Sequence, residues 1–468
     1  MNHIPISRRG GERRSRDGHE LVGVDGTGLA WVSESPPLLV SRVLQEMRSA
    51  PTQSSEARMT ALVEAGRLFA GAVLEGETPE DYQRMHALST GVPISVSRSA
   101  LEMMAAQLER LRNLVDVQRP VGAVPSAAAG GGAVGSGGAR WATRARLLGV
   151  LAPSNHPMTH IGWLQALALG YRVAVRPGSR DPFTPRRLAR ALREAGLTEG
   201  WLAVLPGTHL AAEALMRDAD LGLVYGDEAS VARYRGQSKF LVRGPGRTKA
   251  LLWDPEKLSE SSYDYLVESI AGDGGVRCTN VSAVFVNGDH VAVTEALARR
   301  LGQLPVHHVL DYRSGLPARS SAAAADLRRA AASLREGAVD VTQALGVPPV
   351  TQLDGGLTVL RPSVLRVDRG DHPALRVELP FPCVCVAPWR PEDGIAPLTD
   401  SLAVHLVGDA DGFEDELLDE PSIRTVVSGE PSVSWSDPLL PHDGYLSHFL
   451  MEARGHLVPE ATAVSGSG

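Results

Sequence analysis

Cysteine, lysine and aromatic residues are scarce in this chain, and each scarcity excludes a class of protein. The 468 residues include 3 cysteines, which lack the spacing of a disulfide framework and fit a reducing cytoplasm in which a thiol stays available for chemistry. Lysine occurs only at positions 239, 249 and 257, so few amines are available for Schiff-base chemistry. Aromatic residues make up 5% of the chain and the net charge is −7, which gives no general attraction to nucleic acid or to anionic membranes.

Uninterrupted hydrophobic runs of membrane-spanning length are also missing. The longest uncharged run, residues 147–171, contains two prolines and several polar side chains, so it is not expected to be a membrane helix. Residues 1–17 carry five arginines and no apolar segment follows them, so no signal peptide is expected. We expect residues 1–35 to form a disordered or irregular tail and the protein to be cytoplasmic.

A helical section and a segment of small residues precede the first regular pattern. In residues 36–115 the apolar residues recur at helical spacing, as in Leu101, Met104 and Leu108, which predicts helices. Residues 122–139 are almost entirely glycine, alanine, serine, valine and proline, a composition typical of a surface loop or a hairpin tip.

Strands and helices alternate regularly after this segment. The predicted strands are 147–152, 172–176, 202–205 and 221–225, and the predicted helices are 163–169, 186–195 and 211–216. This alternation predicts parallel βαβ units in a doubly wound sheet. Ligands bind at the carboxyl ends of such strands, so the loops after Ala152, Arg176, Leu205 and Tyr225 are the expected place for a functional site.

A second α/β section extends from about residue 240 to residue 388. Its predicted strands are 250–253, 282–286 and 383–387, and its predicted helices are 263–270, 291–301 and 320–334. A chain of this length is expected to form two or three domains. We assign 36–239 to the helical section with a dinucleotide-binding domain, 240–425 to a catalytic domain and 426–468 to a C-terminal segment of the cofactor domain.

The thiol best placed for chemistry is that of Cys278. It lies in a short loop that leads directly into the β-branched apolar run from Val281 to Val286, where a thiol can act as a nucleophile. Cys383 and Cys385 alternate inside a strand-like run and are interpreted as small core residues. A single buried cysteine is more often structural than catalytic, so the interpretation of Cys278 depends on the rest of the chain.

Six short motifs follow one another from about residue 145 towards the C-terminus. They are Pro153-Ser154-Asn155-His156-Pro157, Val175-Arg176-Pro177-Gly178-Ser179-Arg180-Asp181-Pro182, Tyr225-Gly226-Asp227-Glu228-Ala229, Gly244-Pro245-Gly246-Arg247, Cys278-Thr279 and Glu378-Leu379-Pro380-Phe381-Pro382. In this order they resemble the aldehyde dehydrogenase superfamily, and the closer likeness is to the acyl-thioester reductases of the bacterial bioluminescence type. The resemblance implies an α/β fold with a Rossmann-type doubly wound cofactor domain, an α/β catalytic domain and a C-terminal oligomerisation segment. It also implies a homodimer or homotetramer.

The resemblance assigns two catalytic roles and marks one departure. Cys278 corresponds to the nucleophile, and Asn155 corresponds to an amide that donates to a developing oxyanion; alternatively, Asn155 caps the following helix. Arg243 lies where the hydrolytic members keep a glutamate that activates water. Without that base we expect slow hydrolysis of an acyl-enzyme, unless Arg243 points outward and has no role. His156 and His160 are interpreted as packing or capping residues rather than proton-transfer groups.

The resemblance also implies a nicotinamide cofactor. Arg176 lies where relatives usually carry a lysine that contacts the adenosine ribose, and Ser179 lies where NAD-preferring relatives hold the ribose diol with a glutamate. In the absence of that acid, Arg176 and Arg180 can neutralise a 2′-phosphate, so NADPH is the expected cofactor. Outside the family context, an arginine pair in a loop is more often solvated than bound to a ligand.

Three further positions complete the expected cofactor site. Gly226 would let the backbone approach the pyrophosphate. The acids that follow it, Asp227 and Glu228, are unfavourable beside a diphosphate unless they cap the helix and point away. Glu378 corresponds to the acid that holds the nicotinamide ribose hydroxyls, with Phe381 in the same motif; a solvated glutamate at the end of a strand is the alternative.

We interpret the chain as a cytoplasmic NADPH-dependent reductase of acyl thioesters. The acyl group would be presented on coenzyme A or a carrier protein, pass to Cys278 and leave as an aldehyde, with no metal, nucleic acid or membrane involved. A catalytically silent scaffold or acyl-binding subunit is the first alternative, which Asp227, Glu228 and Arg243 permit. Oxidation of an aldehyde to an acid is the second, and Arg243 argues against it.

Overall fold

The computed structural model describes residues 2–125, 138–410, 412–431 and 439–457. In chain order its strands are β1 (Asn2–Ile4), β2 (Ile6–Arg8), β3 (Gly11–Arg13), β4 (Gly18–Val22), β5 (Gly28–Ser33), β6 (Ala123–Pro125), β7 (Gly138–Thr143), β8 (Leu147–Leu151), β9 (Arg172–Arg176), β10 (Leu202–Val204), β11 (Leu221–Tyr225), β12 (Phe240–Arg243), β13 (Thr248–Leu252), β14 (Val281–Val286), β15 (Ala318–Ser320), β16 (Ala338–Asp340), β17 (Val350–Gln352), β18 (Leu357–Leu360), β19 (Ser363–Val367), β20 (Cys383–Pro388), β21 (Val404–Val407), β22 (Val426–Ser428) and β23 (Met451–His456). Its helices are α1 (Pro37–Arg48), α2 (Ser55–Gly71), α3 (Pro79–Thr90), α4 (Ile94–Glu109), α5 (Leu111–Val117), α6 (Ile161–Leu169), α7 (Phe183–Glu194), α8 (His209–Asp218), α9 (Glu228–Ala232), α10 (Glu260–Ala271), α11 (His290–Gly302), α12 (Ser321–Ser333), α13 (Val341–Ala344), α14 (Phe413–Asp419) and α15 (Leu446–Leu450).

The first large sheet has the strand order β12-β11-β8-β9-β10-β2-β3. The pairs from β12 to β10 are parallel, as the alternation of strands and helices predicts. Successive side chains of β8 enter different cores: Leu147 packs in the cluster that contains α1 and α8 residues, and Leu148 packs in the cluster that contains α6 residues. Because helices cover both faces, the sheet is doubly wound, and the loops after β8, β9, β11 and β12 meet at its carboxyl edge.

The prediction of a disordered N-terminal tail is wrong. β1, β4 and β5 form a three-stranded sheet, while β2 and β3 extend the first large sheet by an antiparallel edge. Ile4, Leu21 and Val32 are buried in the same core as the helical section. One of the arginines that suggested a solvated tail, Arg8, instead forms an ion pair with Glu46 at 2.8 Å.

The second large sheet has the strand order β16-β19-β20-β14-β13-β21-β22. Its central strands are parallel, and the predicted strands and helices of this section are confirmed with ends that shift by one to three residues. Two predicted domain limits differ from the structure. β12 pairs with β11, so residues 240–243 belong to the first sheet, and β22 pairs with β21, so the second sheet continues to Ser428.

The C-terminal strand β23 returns to the first domain. It pairs antiparallel with β7 along six residues, and β7 pairs with β6. The small-residue segment predicted as a loop or hairpin tip falls partly on residues 126–137, which lie outside the described residues. In the described ranges, the helices are too short or too polar to cross a membrane.

Candidate active site

Cys278 lies in the loop that precedes β14, close to the carboxyl edge of the first sheet. The loop is fixed by Gly275, whose φ is +66° and whose missing Cβ would lie 2.6 Å from the backbone nitrogen of Pro382. The carbonyl oxygen of Cys278 accepts a hydrogen bond from Thr248 Oγ1 at 3.1 Å. Cys278 is only partly buried, so its thiol can meet a ligand.

The other two cysteines lie in β20 as predicted. Burial raises the pKa of both Cys383 and Cys385 to about 12. A thiol with such a pKa is almost entirely protonated at neutral pH, and the thiolate is the nucleophilic form. Cys278 is therefore the cysteine available for covalent chemistry.

An imidazole that the sequence analysis did not select lies beside this thiol. His442 Nε2 is 3.4 Å from Cys278 Sγ, although the two residues are 164 positions apart. Burial opposes the imidazolium charge, but the Cys278 thiolate and Asp443 outweigh it and raise the pKa of His442 to about 10. The pair therefore places an imidazole where it can exchange a proton with the thiol.

His442 also overturns one expectation from the sequence. The absence of a base beside Cys278 was inferred from Arg243 alone, and His442 is a group that can hold or release a proton at that place. A histidine elsewhere in the chain is the recognised partner of a catalytic cysteine, but 14 histidines occur in this sequence. The segment from Pro441 to Tyr445 resembles a turn of the family, but no spacing in the sequence connects His442 with Cys278, because only the fold brings the imidazole to the thiol.

Arg243 is partly buried behind the Cys278–His442 pair. Its Nη2 lies 2.8 Å from Asp443 Oδ1, and its Nη1 donates to the Tyr225 hydroxyl at 3.3 Å. Burial raises the pKa of Asp443, but the charges of Arg243 and His442 outweigh this and lower it. An outward, idle Arg243 is thus excluded: the guanidinium occupies the place expected for a water-activating acid and holds the carboxylate next to His442.

Asn155 follows β8 of the first large sheet and lies against the nucleophile loop, the loop before β14 that carries Cys278. Its Nδ2 donates to the carbonyl oxygen of Val276 at 2.8 Å, which leaves the second N–H of this amide for another acceptor. The cap of the turn that follows is made by His156, whose Nδ1 accepts from the backbone of Met158, so Asn155 is not the helix cap. Among the described residues the backbone N–H of Cys278 has no acceptor. These two donors can hold an oxyanion.

Replacing Asn155 by alanine is expected to slow hydride transfer by about 10²- to 10³-fold, the usual cost of one oxyanion donor. Acylation of Cys278 should persist, because the thiol and His442 are untouched. Single-turnover kinetics with a preformed acyl-enzyme measures the step directly. An unchanged rate of hydride transfer would remove Asn155 from the oxyanion site.

His156 and His160 have structural partners, as predicted. His156 Nε2 lies 3.2 Å from Asp273 Oδ2. His160 Nδ1 accepts from Trp163 Nε1 at 2.8 Å, and since the indole can only donate, the proton of this imidazole is on Nε2, which faces Asp181. Asp181 is fully buried between His160 and other polar groups, so these histidines fix the loops after β8 and β9.

Glu378 lies next to the nucleophile loop. Its Oε2 accepts from the backbone nitrogens of Gly246 at 2.8 Å and Arg247 at 3.1 Å, and a Cβ on Gly246 would lie 1.8 Å from the Cys278 carbonyl oxygen. This excludes a solvated glutamate at a strand end, since the carboxylate is half-buried and bonded. Phe381 is buried among Ala324, Ala331 and Leu360 and has no described contact with Cys278, so its predicted cofactor contact stays a prediction.

Arg176 and Arg180 make contact with different segments. Arg176 Nε donates to the carbonyl oxygen of Gly207 at 3.1 Å in the loop after β10, and its two terminal nitrogens have no partner in the described part of the chain. Arg180 Nη1 donates to Val22 in the N-terminal sheet. Ser179 is exposed between them. The structure therefore presents Arg176 at the carboxyl edge without bringing Arg180 to it.

The acids after Gly226 point away from the edge of the sheet. Asp227 caps α9 by accepting from Ser230 at 2.9 Å, and Glu228 pairs with Arg235 and Arg247. This is the arrangement under which these acids are compatible with a phosphate nearby. A Cβ on Gly244, whose φ is +113°, would lie 2.4 Å from the Gly226 carbonyl oxygen, so two glycine-bearing loops meet here without side chains.

Comparisons with known proteins identify the family. Residues 40–402 match the Aldehyde dehydrogenase family. The chain is 27% identical over 175 residues to malonate-semialdehyde dehydrogenase 1 of Geobacillus kaustophilus, covering 35% of this chain and 36% of that protein. It is 28% identical over 260 residues to N-succinylglutamate 5-semialdehyde dehydrogenase of Chromohalobacter salexigens, covering 51% of each. The matches thus span about a third to a half of the length of these relatives.

Solved structures show the same fold over nearly the whole chain. The gamma-glutamyl-gamma-aminobutyraldehyde dehydrogenase of Burkholderia cenocepacia J2315 superposes with a TM-score of 0.78 at 18% identity, covering 97% of this chain and 96% of that one. An indole-3-acetaldehyde dehydrogenase in complex with NAD⁺ gives the same TM-score and identity. Cys278, Asn155 and Glu378 lie between the two large sheets, and the family match covers most of this chain. The chain therefore belongs to the aldehyde dehydrogenase family of oxidoreductases.

Proposed function

We propose that the chain reduces an acyl thioester to an aldehyde with NADPH, through an acyl group carried on Cys278. The acyl donor is a thioester of coenzyme A or of a carrier protein. The observation that carries the proposal is Arg243, which is partly buried and paired with Asp443 at the position where the resemblance implies a water-activating acid. An arginine does not accept a proton, so this position cannot activate water.

The residues at the carboxyl edge are compatible with a dinucleotide. The unpartnered terminal nitrogens of Arg176 can contact a 2′-phosphate, the absence of a side chain at Gly226 lets a diphosphate approach the backbone at the start of α9, and Glu378 can hold a ribose diol with its free Oε1. When bound, the nicotinamide supplies the hydride. Family neighbours whose structures contain NAD⁺ support a nicotinamide cofactor, and Ser179 and Arg176 support NADPH in particular.

The protein groups account for the remaining atoms of the reaction. The Cys278 thiolate attacks the acyl carbon, the carbon–sulfur bond of the donor breaks, and His442 gives its proton to the departing thiolate. After the acyl carbon is reduced, Asn155 Nδ2 and the Cys278 N–H hold the oxyanion. Its collapse breaks the bond to Cys278, releases the aldehyde and restores the thiolate, while His442 regains a proton from solvent. One thioester, one hydride and one proton give one aldehyde and one thiol.

Oxidation of an aldehyde is the second candidate. The similar curated proteins are named as semialdehyde dehydrogenases, and His442 is a base that could activate water once Cys278 is acylated. Acylation removes the thiolate charge that keeps His442 protonated, so its pKa then falls towards the usual range. The fate of the acyl-enzyme in buffer decides between the two candidates.

The test is intact-mass measurement of the protein after mixing with an acyl thioester. We expect an adduct on Cys278 that persists for minutes in buffer and is discharged as aldehyde when NADPH is added. Release of free acid within seconds by the unmodified chain would contradict the reductase proposal and favour oxidation. A chain that forms no adduct and does not bind NADPH would be the silent scaffold.

A paired substitution tests the role of Arg243 in this partition. Arg243→Glu alone would place two carboxylates together at Asp443, so the double variant Arg243→Glu/Asp443→Asn keeps one acid in the buried cluster. It should hydrolyse the acyl-enzyme faster than the matched control Arg243→Gln/Asp443→Asn, and free acid should become a major product. Equal hydrolysis rates in both double variants would show that the residue at position 243 does not influence the attack of water on the acyl-enzyme.

Cofactor preference gives a separate prediction. Arg176 can pair with a 2′-phosphate and Ser179 lacks the charge that would repel it, so NADPH should bind at least tenfold more tightly than NADH, which is about 1.4 kcal/mol. Fluorescence titration measures both affinities. Arg176→Ala should remove most of the difference, whereas Arg180→Ala, which changes a side chain bonded to Val22, should leave it. Equal weakening of both nucleotides by Arg176→Ala would refute the assignment.

We also propose that the chain forms a homodimer or homotetramer. β6, β7 and β23 form a three-stranded sheet at the C-terminal segment, and most side chains of β23 are exposed. Exposed strands of this kind are surfaces on which a second copy can pack. Light scattering of the intact chain measures the oligomeric state.

A further inference from the structure

A buried lysine without a counter-ion lies in the second large sheet. Lys249 in β13 is 4% exposed, and its Nζ donates to the carbonyl oxygen of Thr399 at 2.5 Å and to Ser401 Oγ at 2.8 Å. Both acceptors are neutral. Within the described residues no carboxylate forms an ion pair with this ammonium, in contrast to Lys257, which pairs with Asp254. A buried charge without a counter-charge is unfavourable, so an anion at this place would stabilise it.

Lys249 lines a pocket of about 560 Å³. The apolar wall includes Phe285 and Leu375, which are almost fully buried. Arg376 lines the same pocket and is exposed, with no described hydrogen bond or ion pair. The pocket therefore offers two cations that lack an ion-pair partner and an apolar surface between them.

The other charged groups around the pocket are already engaged. Arg369 forms two hydrogen bonds with Asp371, at 2.9 and 3.0 Å. His372 accepts from a backbone nitrogen through Nδ1, and its Nε2 faces a carbonyl oxygen at 2.9 Å, so both ring nitrogens have partners. Asp393 accepts from the backbone nitrogen of Arg390 at 2.9 Å. Lys249, Arg369 and Arg376 stand against Asp371 and Asp393 along the lining, which leaves a small positive excess, although Asp400 is close enough to act on Lys249.

We propose that this pocket binds a phosphate monoester, with Lys249 and Arg376 contacting the phosphate and the accessible apolar residues of the lining, Ala396 and Pro397, contacting the organic part. A lysine and an arginine together suit a phosphate group, and the pocket is larger than phosphate alone requires. Burial, partly opposed by Asp400, lowers the pKa of Lys249 to about 8, and a bound anion would raise it again. The lining of this pocket contains none of the residues assigned to the thiol chemistry or to the dinucleotide site.

Lys249 is one residue along the chain from Thr248, which contacts the loop that carries Cys278. Thr248, which donates to the Cys278 carbonyl oxygen, immediately precedes Lys249, and the pairing of β13 with β14 is irregular between these two residues. A ligand that displaces Lys249 therefore acts on the start of β13, where the neighbouring residue Thr248 supports the loop of Cys278. This gives the site a direct physical connection to the catalytic loop.

The test is isothermal titration calorimetry of the full chain with inorganic phosphate and with glycerol 3-phosphate, at matched ionic strength and without nucleotide. We expect glycerol 3-phosphate to bind, and Lys249→Met and Arg376→Gln each to weaken it at least tenfold. Lys257→Met is the matched control and should bind as the unmodified chain does. Binding of both probes supports the ester site. Binding of inorganic phosphate alone would contradict it, because the ligand would then be the free ion and not a monoester.

Arg376→Gln keeps the test decisive if Lys249→Met folds poorly, because Arg376 is on the surface. NADPH affinity should be the same in all three variants, which separates this site from the proposed cofactor site. The proposal is overturned if neither phosphate probe binds, or if both probes bind the Lys249→Met and Arg376→Gln variants as tightly as the unmodified chain.

Discussion

Replacing Cys278 by alanine is expected to abolish acylation and turnover completely. The thiol is the one partly exposed cysteine beside an imidazole, and without it the donor thioester has no nucleophile to attack it. Intact-mass spectrometry should show no adduct, and coupled assays should show no aldehyde. NADPH binding should be nearly unchanged, because Arg176 and Glu378 remain.

The matched control is Cys383→Ser. Burial raises the pKa of that thiol to about 12, so its replacement should change thermal stability more than acylation. Turnover retained by Cys278→Ala would show that another group carries the acyl chain, and the covalent mechanism would be abandoned. Loss of NADPH binding by Cys278→Ala would indicate misfolding, and Cys278→Ser would then be the variant to compare.

Replacing His442 by alanine is expected to lower turnover by about 10²- to 10⁴-fold, the usual contribution of a general acid–base group. Two functions are lost together: the imidazolium no longer stabilises the Cys278 thiolate, and no group protonates the departing thiol. His442→Gln keeps a hydrogen-bond donor without a charge, so it should recover only part of the loss. The rate of alkylation of Cys278 by iodoacetamide, measured without substrate, reports the first function alone.

The pH dependence of the same reaction has a definite sign. His442 is protonated below its pKa of about 10, so turnover limited by its proton should decline as the pH rises through about 10. In His442→Ala that decline should disappear, and alkylation should need a higher pH than in the unmodified chain. An identical alkylation profile in both proteins would show that the imidazole does not act on the thiol, whatever the overall reaction is.

The regular elements of both large sheets could be predicted from the sequence. β9 was predicted with the bounds that the structure shows, α6 and α8 contain their predicted helices, and the predicted helix 186–195 extends one residue beyond α7. These elements have strong local periodicity, and burial on both faces of the sheet requires it. Local pattern and fold therefore agree over this part of the chain.

The N-terminal strands and His442 could not be predicted for a different reason. β1, β2 and β3 have three residues each, too few for an alternating pattern, and their stability comes from pairing with distant segments. His442 reaches Cys278 across 164 positions, so no local spacing indicates the contact. The sequence places Arg180 in the loop after β9. It does not predict the orientation of the Arg180 side chain, because the partner, Val22, lies in a strand that was not predicted.

The distance along the chain between Cys278 and His442 also concerns the order of synthesis. A nascent chain that has emerged only as far as β14 contains the nucleophile but not its imidazole, Asp443 or β23. In such a chain the contact between Cys278 and His442 cannot form. Pairing of β23 with β7 brings the segment that follows His442 back to the first sheet. The contact between the two side chains is therefore among the last to be assembled during synthesis.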